Sequence, residues 1–350
     1  MVDKMKKILV LATFLLINIL YANSNDFKND IEFVEYAKEK IIVWEKTCNN
    51  NLTSCRDAGL LYANGIGVVQ NYSKAKILFE KACDGNEGES CWYLGILHEN
   101  GFGVKQNFLM AATLYRKSCN NGFMKACNAL GEYYKEGLGV KQEYIKSKEL
   151  FNKACQMDHT KGCINLASLY SSGLGGIEQN YRKAKRLFSK ACEKKSDIGC
   201  HNLGVLYDKG LGVKQDYHKA KELYIKACNE DLFSACNNLG LLYKNAHGVK
   251  KDNSKANMFF RKACDGNLVV GCFHLGNAYS NGYGVKQNYS KALKIYSKTC
   301  ADGLADGCFN IAVLYDKGLG IKQDTRKAKI FYKKACDNGL EKGCEEQSKQ

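Results

Sequence analysis

The stretch CHNLGVLYDKGLGVKQDYHKAKELYIKAC, from Cys200 to Cys228, decides the fold because closely similar stretches recur along most of the chain. Two of them begin at Cys127 and Cys272. The first cysteine of the stretch returns every 36 residues with one step of 37, at Cys55, Cys91, Cys127, Cys163, Cys200, Cys236, Cys272, Cys308 and Cys344. A repeat of about 20 to 50 residues is typical of solenoid proteins, in which one small structural unit stacks on copies of itself.

Each repeat contains two short helical patterns. Leu203, Leu206 and Tyr207 stand at i, i+3 and i+4, which forms one apolar stripe of a first helix, here called helix A. Glycines then interrupt the pattern, and Asp216 can accept hydrogen bonds from the first free N–H groups of a second helix, helix B. Gly204, in the middle of helix A, is small enough for a close helix approach. Two helices of this length cannot bury their stripes alone, so neighbouring repeats must stack.

The repeat array predicts an all-α fold, a right-handed αα-superhelix with one disulfide per repeat, in place of the two compact domains that 350 residues would suggest. With no proline in the chain, cysteine and glycine mark the helix ends. A content of 45% hydrophobic and 25% charged residues excludes wholesale disorder. The net charge of +16 favours acidic partners in general without choosing among them.

The repeats also define the domain boundaries. We predict a signal peptide over residues 1–22, an N-terminal half-repeat helix over 23–54, eight repeats over 55–343 and a polar C-terminal cap over 344–350. The predicted repeats are 55–90, 91–126, 127–162, 163–199, 200–235, 236–271, 272–307 and 308–343.

The first residues predict export. Three lysines precede an apolar run from Ile8 to Leu20, and the small residue Ala22 follows it, which is the pattern of a secretory signal peptide. The alternative is a membrane anchor, which needs about 20 apolar residues, whereas this run is shorter and contains Asn18. We therefore expect a secreted protein, periplasmic or extracellular, that is a monomer with no membrane span after cleavage.

The 18 cysteines predict a disulfide framework, because their number is even and the chain is expected to be exported. Zinc sites usually place about two to four residues within a cysteine pair, and here there are seven in most pairs. A continuous helix would separate such a pair by about 12 Å, so the chain must turn between the two cysteines to bring them within disulfide distance. The predicted pairs are Cys48–Cys55, Cys83–Cys91, Cys119–Cys127, Cys155–Cys163, Cys192–Cys200, Cys228–Cys236, Cys264–Cys272, Cys300–Cys308 and Cys336–Cys344.

The consensus C-x-x-L-G-x-L-Y-x-x-G-x-G-V-x-Q-(N/D)-Y-x-K-A-x-x-L-(F/Y)-x-K-A-C resembles the Sel1-like repeat, a relative of the tetratricopeptide repeat. A cysteine at each end of the repeat resembles the Helicobacter cysteine-rich (Hcp) protein family, over essentially the whole mature chain. The resemblance implies an exported, disulfide-bridged αα-superhelix. It also implies penicillin binding with weak β-lactamase activity, and recognition by the host. Departures from the pattern are Ala246 at a loop glycine, His98 at the helix A tyrosine, and a spacing one residue short from Cys48 to Cys55.

The residues themselves offer no catalytic motif. Ser73-Lys74-Ala75-Lys76 fits the S-x-x-K pattern of serine β-lactamases, but the accompanying S-D-N and K-T-G motifs do not occur, and the segment is also the repeat consensus at the start of helix B. The six histidines occupy six different positions of the repeat, so we expect no metal and no cofactor. Hydrolysis therefore stands on the resemblance alone, and its catalytic residues are unknown.

A binding function has more support from the residues. The fourth, seventh and eighth positions of helix A form the apolar stripe, so the second, third, sixth, ninth and tenth face away from it. The third position carries asparagine in four repeats, at Asn165, Asn202, Asn238 and Asn310. A row of asparagines offers donors and acceptors that can bind the backbone of an extended peptide. The alternative is that asparagine is a tolerated polar residue near a helix start.

Two further periodic features bear on partners. Phe273 and Phe309, at the second position, are either exposed anchors or packing residues between repeats. A lysine two residues before the end of each helix B either stabilises the helix C-terminus or forms a basic ridge for anionic polymers. The expected ligands are a peptide, a peptidoglycan fragment or a β-lactam, with a host protein as a further partner and no nucleic acid.

Overall fold

The computed structural model describes Asp30–Lys349, so the predicted signal peptide lies outside the described residues. Between these limits the chain forms 18 α-helices and no strand. None of these helices combines the length and the apolar character that a membrane span requires. In chain order the helices are α1 Asp30–Thr47, α2 Leu52–Asn64, α3 Tyr72–Asp84, α4 Gly88–Asn100, α5 Phe108–Asn120, α6 Met124–Glu136, α7 Tyr144–Gln156, α8 Thr160–Ser172, α9 Tyr181–Glu193, α10 Asp197–Lys209, α11 Tyr217–Asn229, α12 Phe233–Asn245, α13 Asn253–Asp265, α14 Val269–Asn281, α15 Tyr289–Ala301, α16 Ala305–Lys317, α17 Thr325–Asp337 and α18 Glu341–Ser348.

The helices fall into two compact units, one ending at Gln179 and the other beginning at Asn180. The even-numbered helices are the helices A, and the odd-numbered helices from α3 onward are the helices B. Within each unit, every helix packs on the next one along the chain. The predicted all-α solenoid with one disulfide per repeat is confirmed.

Helices A and B of a repeat approach closely where helix A carries a glycine. A Cβ atom added to Gly204 would lie 2.8 Å from the ring of Tyr224, and one added to Gly95 would lie 2.5 Å from the ring of Tyr115. Both tyrosine side chains are fully buried, at 0% and 1% exposure. The close approach predicted at Gly204 is therefore confirmed, because an aromatic ring of helix B occupies the space that a side chain would need.

The start of helix B is fixed by its cap and by a lysine in its first turn. The carboxylate of Asp216 accepts a 3.0 Å hydrogen bond from the backbone N–H of Lys219. The ammonium of the same lysine lies 5.3 Å from the ring centroid of Tyr207 on helix A, where the ring attracts the cation. Glu143, the exception to asparagine or aspartate at this position, makes no side-chain cap bond.

The loop between the two helices is held by a glutamine whose role the sequence analysis did not identify. The Gln215 side-chain N–H donates to the carbonyl of Asp208 at 2.7 Å, near the end of helix A. Gly212 in this loop has a φ of 66°, and a Cβ atom there would lie 2.5 Å from the Cβ of Tyr181 at the start of the preceding helix B. The loop therefore packs on the previous repeat at a residue whose backbone is in the left-handed conformation, which favours glycine.

Nine disulfides join the cysteine pairs named above across the turns from helix B to the next helix A. The paired Cα atoms lie 4.4–4.8 Å apart, so the turn brings together two residues that a straight helix would hold far apart. No described cysteine is free.

Several of the periodic lysines near the ends of helices B reach the preceding repeat. The ammonium of Lys262 donates to the carbonyl of Cys228 at 2.8 Å and lies 3.0 Å from the carboxylate of Asp231. Lys153 donates to the carbonyl of Cys119 at 3.2 Å. A helix C-terminus carries unpaired carbonyls and partial negative charge, so each of these lysines stabilises the end of the previous helix B.

Candidate ligand-binding site

The first unit contains a cavity of about 580 Å³ lined mainly by α2, α4 and α6 and closed at one end by the start of α8. The helix A residues that line it come mostly from the second, third, sixth, ninth and tenth positions, which the sequence analysis placed away from the apolar stripe. This cavity is hereafter called the pocket.

Aromatic rings form much of its wall. Trp92 and Tyr93 on α4 have ring centroids 4.9 Å apart, and Phe102 stacks on Tyr72 at 5.0 Å. Ala129 on α6 also lines the pocket and contributes only a methyl group to its wall. A concave, largely apolar surface with a few polar groups is typical of a ligand-binding site.

The acidic end of the pocket contains Glu99, Glu132 and Tyr133. A carboxylate oxygen of Glu99 accepts a 2.5 Å hydrogen bond from the hydroxyl of the buried Tyr115. Burial raises the pKa of Glu99, the hydrogen bond from Tyr115 opposes that rise, and the negative charge of Glu132 adds to it. The two carboxylates are therefore close enough to interact, and the ionised form of Glu99 lacks part of the solvation that water would supply.

Tyr133 brings a buried hydroxyl to this end. Its side chain is only 3% exposed, and within the described residues the hydroxyl makes no hydrogen bond of good geometry. Burial raises the pKa of Tyr133 far above its ordinary value, and the charge of Glu99 raises it further. This hydroxyl is a polar group in the pocket wall that a ligand could satisfy.

Glu132 is exposed in the pocket wall and is held in place by two amides. Its carboxylate accepts hydrogen bonds from the side-chain N–H groups of Asn128 at 3.2 Å and Asn165 at 2.9 Å. The Asn165 amide also donates to the Asn128 side-chain carbonyl at 2.9 Å. Asn165, a predicted binding residue, thus lies beside the pocket and orients a carboxylate that lines it.

The opposite end of the pocket is basic. The ammonium of Lys125 lies 5.5 Å from the ring centroid of Trp92. Burial lowers the pKa of His159, and the positive charges of Lys161 and Lys125 lower it further. The pocket therefore has a basic end at the start of α6 and α8 and an acidic end further along α4 and α6.

The other predicted asparagines lie in the second unit, and two of them, Asn238 and Asn310, contact the preceding repeat. The Asn238 amide lies 3.2 Å from the ring nitrogen Nε2 of His201. The Asn310 amide donates to the side-chain carbonyl of Asn277 at 3.0 Å. Asn202 hydrogen-bonds to His201 and raises the pKa of that imidazole, against a larger lowering by burial. Asn165 lies in the first unit and the other three asparagines lie in the second. The side chains of Asn165, Asn238 and Asn310 each contact a side chain on helix A of the preceding repeat.

A smaller cavity of about 320 Å³ in the second unit is lined by Asn277, Asn310, Phe273 and His274 among others. Burial lowers the pKa of His274 to about 4. Phe273 lies 6.1 Å from the ring of Tyr296 on helix B of its own repeat. Phe309 lies in the same way 5.3 Å from the ring of Tyr332, so each phenylalanine packs within its own repeat, and Phe273 also lines the cavity.

The sequence analysis did not identify the acidic end, although the chain carries a signal for it. At the sixth position of helix A, Glu132 is the one charged residue among the eight repeats. At the seventh position, Tyr133 replaces the leucine found in six repeats and the alanine found in another. A charge at an otherwise uncharged position and a hydroxyl at an otherwise apolar position mark a place where the local requirement differs from packing.

A family model described as the Sel1 repeat matches the chain eight times, at residues 53–87, 88–123, 125–159, 160–196, 198–232, 233–268, 269–304 and 305–340. The chain belongs to the Sel1 repeat family. The matched segments begin two or three residues before the predicted repeats, so they have almost the same phase.

Solved structures agree with the fold of this Sel1 repeat protein. A Sel1 repeat protein from Oxalobacter formigenes is 21% identical, with a TM-score of 0.71, over 87% of this chain and 89% of that chain. A protective antigen present in uropathogenic Escherichia coli strains is 25% identical, with a TM-score of 0.57, over 88% of this chain and 74% of that chain. Helicobacter pylori cysteine rich protein B is 30% identical over 37% of this chain and 94% of that chain, with a TM-score of 0.32.

No curated protein matches the chain. The nine disulfides of this Sel1 repeat protein indicate an oxidising, non-cytoplasmic compartment, because disulfides of this kind are rare where thiols are kept reduced.

Proposed function

We propose that this Sel1 repeat protein is a secreted scaffold that binds a short extended peptide segment in the pocket of its first unit. The single observation that carries the proposal is the pocket itself, a cavity of about 580 Å³ with aromatic walls and polar groups of opposite charge at its two ends. Aromatic surface supplies binding free energy, and the opposite charges at the two ends fix the orientation of the bound peptide.

The size of the ligand follows from the spacing of the charges. Lys125 and Glu132 lie seven residues apart on α6, which corresponds to about 10 Å along the helix axis. An extended chain advances about 3.3 Å per residue, so about three residues of a peptide span the pocket from its basic to its acidic end.

The compartment is part of the proposal. The predicted signal peptide over residues 1–22 and the disulfide framework together support a mature protein that acts in the periplasm or outside the cell. Peptides, peptide-bearing peptidoglycan fragments and host proteins are all encountered there, and the pocket would contact each of them through an extended segment.

Penicillin binding and slow β-lactam hydrolysis were implied by the Helicobacter cysteine-rich resemblance, and the proposal does not include them. Membership of the Sel1 repeat family does not support that activity. Ser73 is an exposed residue in the first turn of α3, and the ammonium of Lys76 forms an ion pair with Glu80 at 2.9 Å. Oxidised protein mixed with a chromogenic cephalosporin should produce no more product than buffer alone.

Peptide capture tests the proposal directly. Immobilised oxidised protein is incubated with a randomised hexapeptide library, and the retained peptides are sequenced by mass spectrometry. Ala129→Trp should fill the pocket and abolish enrichment, whereas Asn152→Trp, at an exposed position of α7 outside the pocket, should leave it intact. Circular dichroism melting confirms that both variants are folded. Equal enrichment by the two variants would place binding elsewhere and refute the proposal.

A further inference from the structure

We infer that the acidic end of the pocket, formed by Glu99, Glu132 and Tyr133, binds the primary ammonium group of a lysine-type side chain on the bound peptide. The inference rests on the proposed function, because it assigns the chemical class of the group that enters one end of the same pocket.

The first argument is charge. Within the described residues, neither Glu99 nor Glu132 takes part in an ion pair, although the chain has 52 lysines and arginines against 36 aspartates and glutamates. Nearby in the same unit, Glu87 and Glu89 both pair with Arg56, at 3.4 and 3.1 Å. Glu99 is half-buried and Glu132 is exposed, and the hydrogen bonds to both carboxylates come from neutral hydroxyl and amide groups, so an arriving cation is favoured there.

The second argument is the number of acceptors. An alkylammonium group has three N–H donors. The acidic end offers a carboxylate oxygen of Glu99, a carboxylate oxygen of Glu132 and the unpaired hydroxyl oxygen of Tyr133. The Tyr133 hydroxyl can accept one bond from the ammonium while it donates to a carboxylate, which would satisfy a group that is otherwise buried without a partner.

The third argument is the surface that leads to this end. Ile96, one turn before Glu99 on α4, and Phe102, three residues after Glu99, line the pocket near this end. A lysine-type side chain packs its methylene groups on apolar surface and keeps its charge at the tip. Aromatic faces also attract the cation itself. The wall and the acidic end therefore suit the two parts of one side chain.

A guanidinium group and a calcium ion are the alternative occupants of the acidic end, and each needs a different arrangement of acceptor atoms. A guanidinium is planar, with five donors in a fixed fork, and pairs best with one carboxylate in two parallel bonds. A calcium ion takes about six to eight oxygen ligands, and the described residues contain no cluster of three or more acidic, histidine or cysteine side chains that could hold a metal. Both serve as competing outcomes of the test.

The test uses full-length oxidised protein with Trp44→Phe, which leaves Trp92 as the one tryptophan and its emission as the signal. The probes are acetylated, amidated tripeptides Ala-Leu-Lys, Ala-Leu-Arg and Ala-Leu-norleucine, which carry no terminal charges. The lysine peptide should bind at least about tenfold more tightly than the norleucine peptide, as expected for hydrogen bonds to charged groups. Glu99→Gln and Glu132→Gln should each remove most of that preference and leave norleucine peptide binding unchanged.

Glu136→Gln is the matched control, because Glu136 lies on the same helix as Glu132, is exposed and pairs with Lys135 outside the pocket. It should keep the full preference for lysine. Equal affinity for lysine and norleucine peptides, tighter binding of the arginine peptide, or loss of the preference on adding calcium chloride would overturn the ammonium site while leaving the peptide pocket in place. Failure of all three peptides to bind would instead refute the proposed function.

Discussion

Removal of one disulfide should loosen the solenoid locally. The double variant Cys228→Ala, Cys236→Ala deletes the bridge between α11 and α12, whose two sulfurs lie in side chains that are 2% and 0% exposed. The bridge spans eight residues. For a loop of that length, the chain-entropy model gives about 2.5 kcal/mol of stabilisation.

The assay is native-state hydrogen exchange, because a repeat array can open in parts and a single unfolding free energy does not describe it. Protection in α11 and α12 should fall by about 2 to 3 kcal/mol, with a smaller loss in α10 and α13, which pack directly on them. Protection near the C-terminus, in α16 and α17, should hardly change.

The double variant Cys300→Ala, Cys308→Ala is the matched control, since its bridge also spans eight residues but joins α15 to α16. It should move the zone of lost protection to those two helices. If either variant lowers protection uniformly across the second unit, or not at all, the bridge does not act locally and the reasoning is wrong.

Three other perturbations follow from contacts described above. Gly95→Ala puts a methyl group against the ring of Tyr115, and chemical denaturation should show a net loss of about 1–2 kcal/mol, after the gain that alanine brings to a helix. Lys262→Met removes the bonds to the Cys228 carbonyl and should cost about 1 kcal/mol in protection at the end of α11. Folding lowers the pKa of His274 from 6.5 to about 4, so the unfolded chain takes up the proton first and stability present above pH 6.5 is lost as the pH falls toward 4. Thermal melts should show a weaker loss for His274→Gln.

Each of these predictions has a clear contrary result. A Gly95→Ala variant as stable as the parent would mean that the Tyr115 ring moves aside at no cost. Unchanged exchange in Lys262→Met would mean that water replaces the lysine equally well at the carbonyl. Identical pH profiles for the parent and His274→Gln would assign the acid sensitivity to other groups.

Much of the fold could be predicted from the period because each element depends on residues close to it in sequence. The stripe of helix A, the cap at Asp216 and the turn between paired cysteines are all local features. The period then requires neighbouring repeats to stack. The role of Gly204 could be inferred for the same reason, since the ring it faces belongs to the same repeat.

The pocket could not be predicted in this way because its chemistry depends on departures from the repeat. Glu99, Glu132 and the amide of Asn165 come from three successive helices A, and no single repeat shows that they meet. Their shared position allows the asparagines to be either peptide-binding groups or tolerated polar residues near a helix start. Their hydrogen bonds to the preceding repeat depend on how the helices stack, which a single repeat does not reveal.

The short span of every disulfide also bears on how such a gene can change length. Each bridge joins cysteines only seven or eight residues apart, across the boundary between two repeats. Deleting residues 91–126 would remove Cys91 and Cys119 and bring Cys83 next to Cys127 at the usual spacing of eight. Duplicating the same segment would add one complete pair. Recombination between repeats can therefore lengthen or shorten the protein one unit at a time without stranding a thiol.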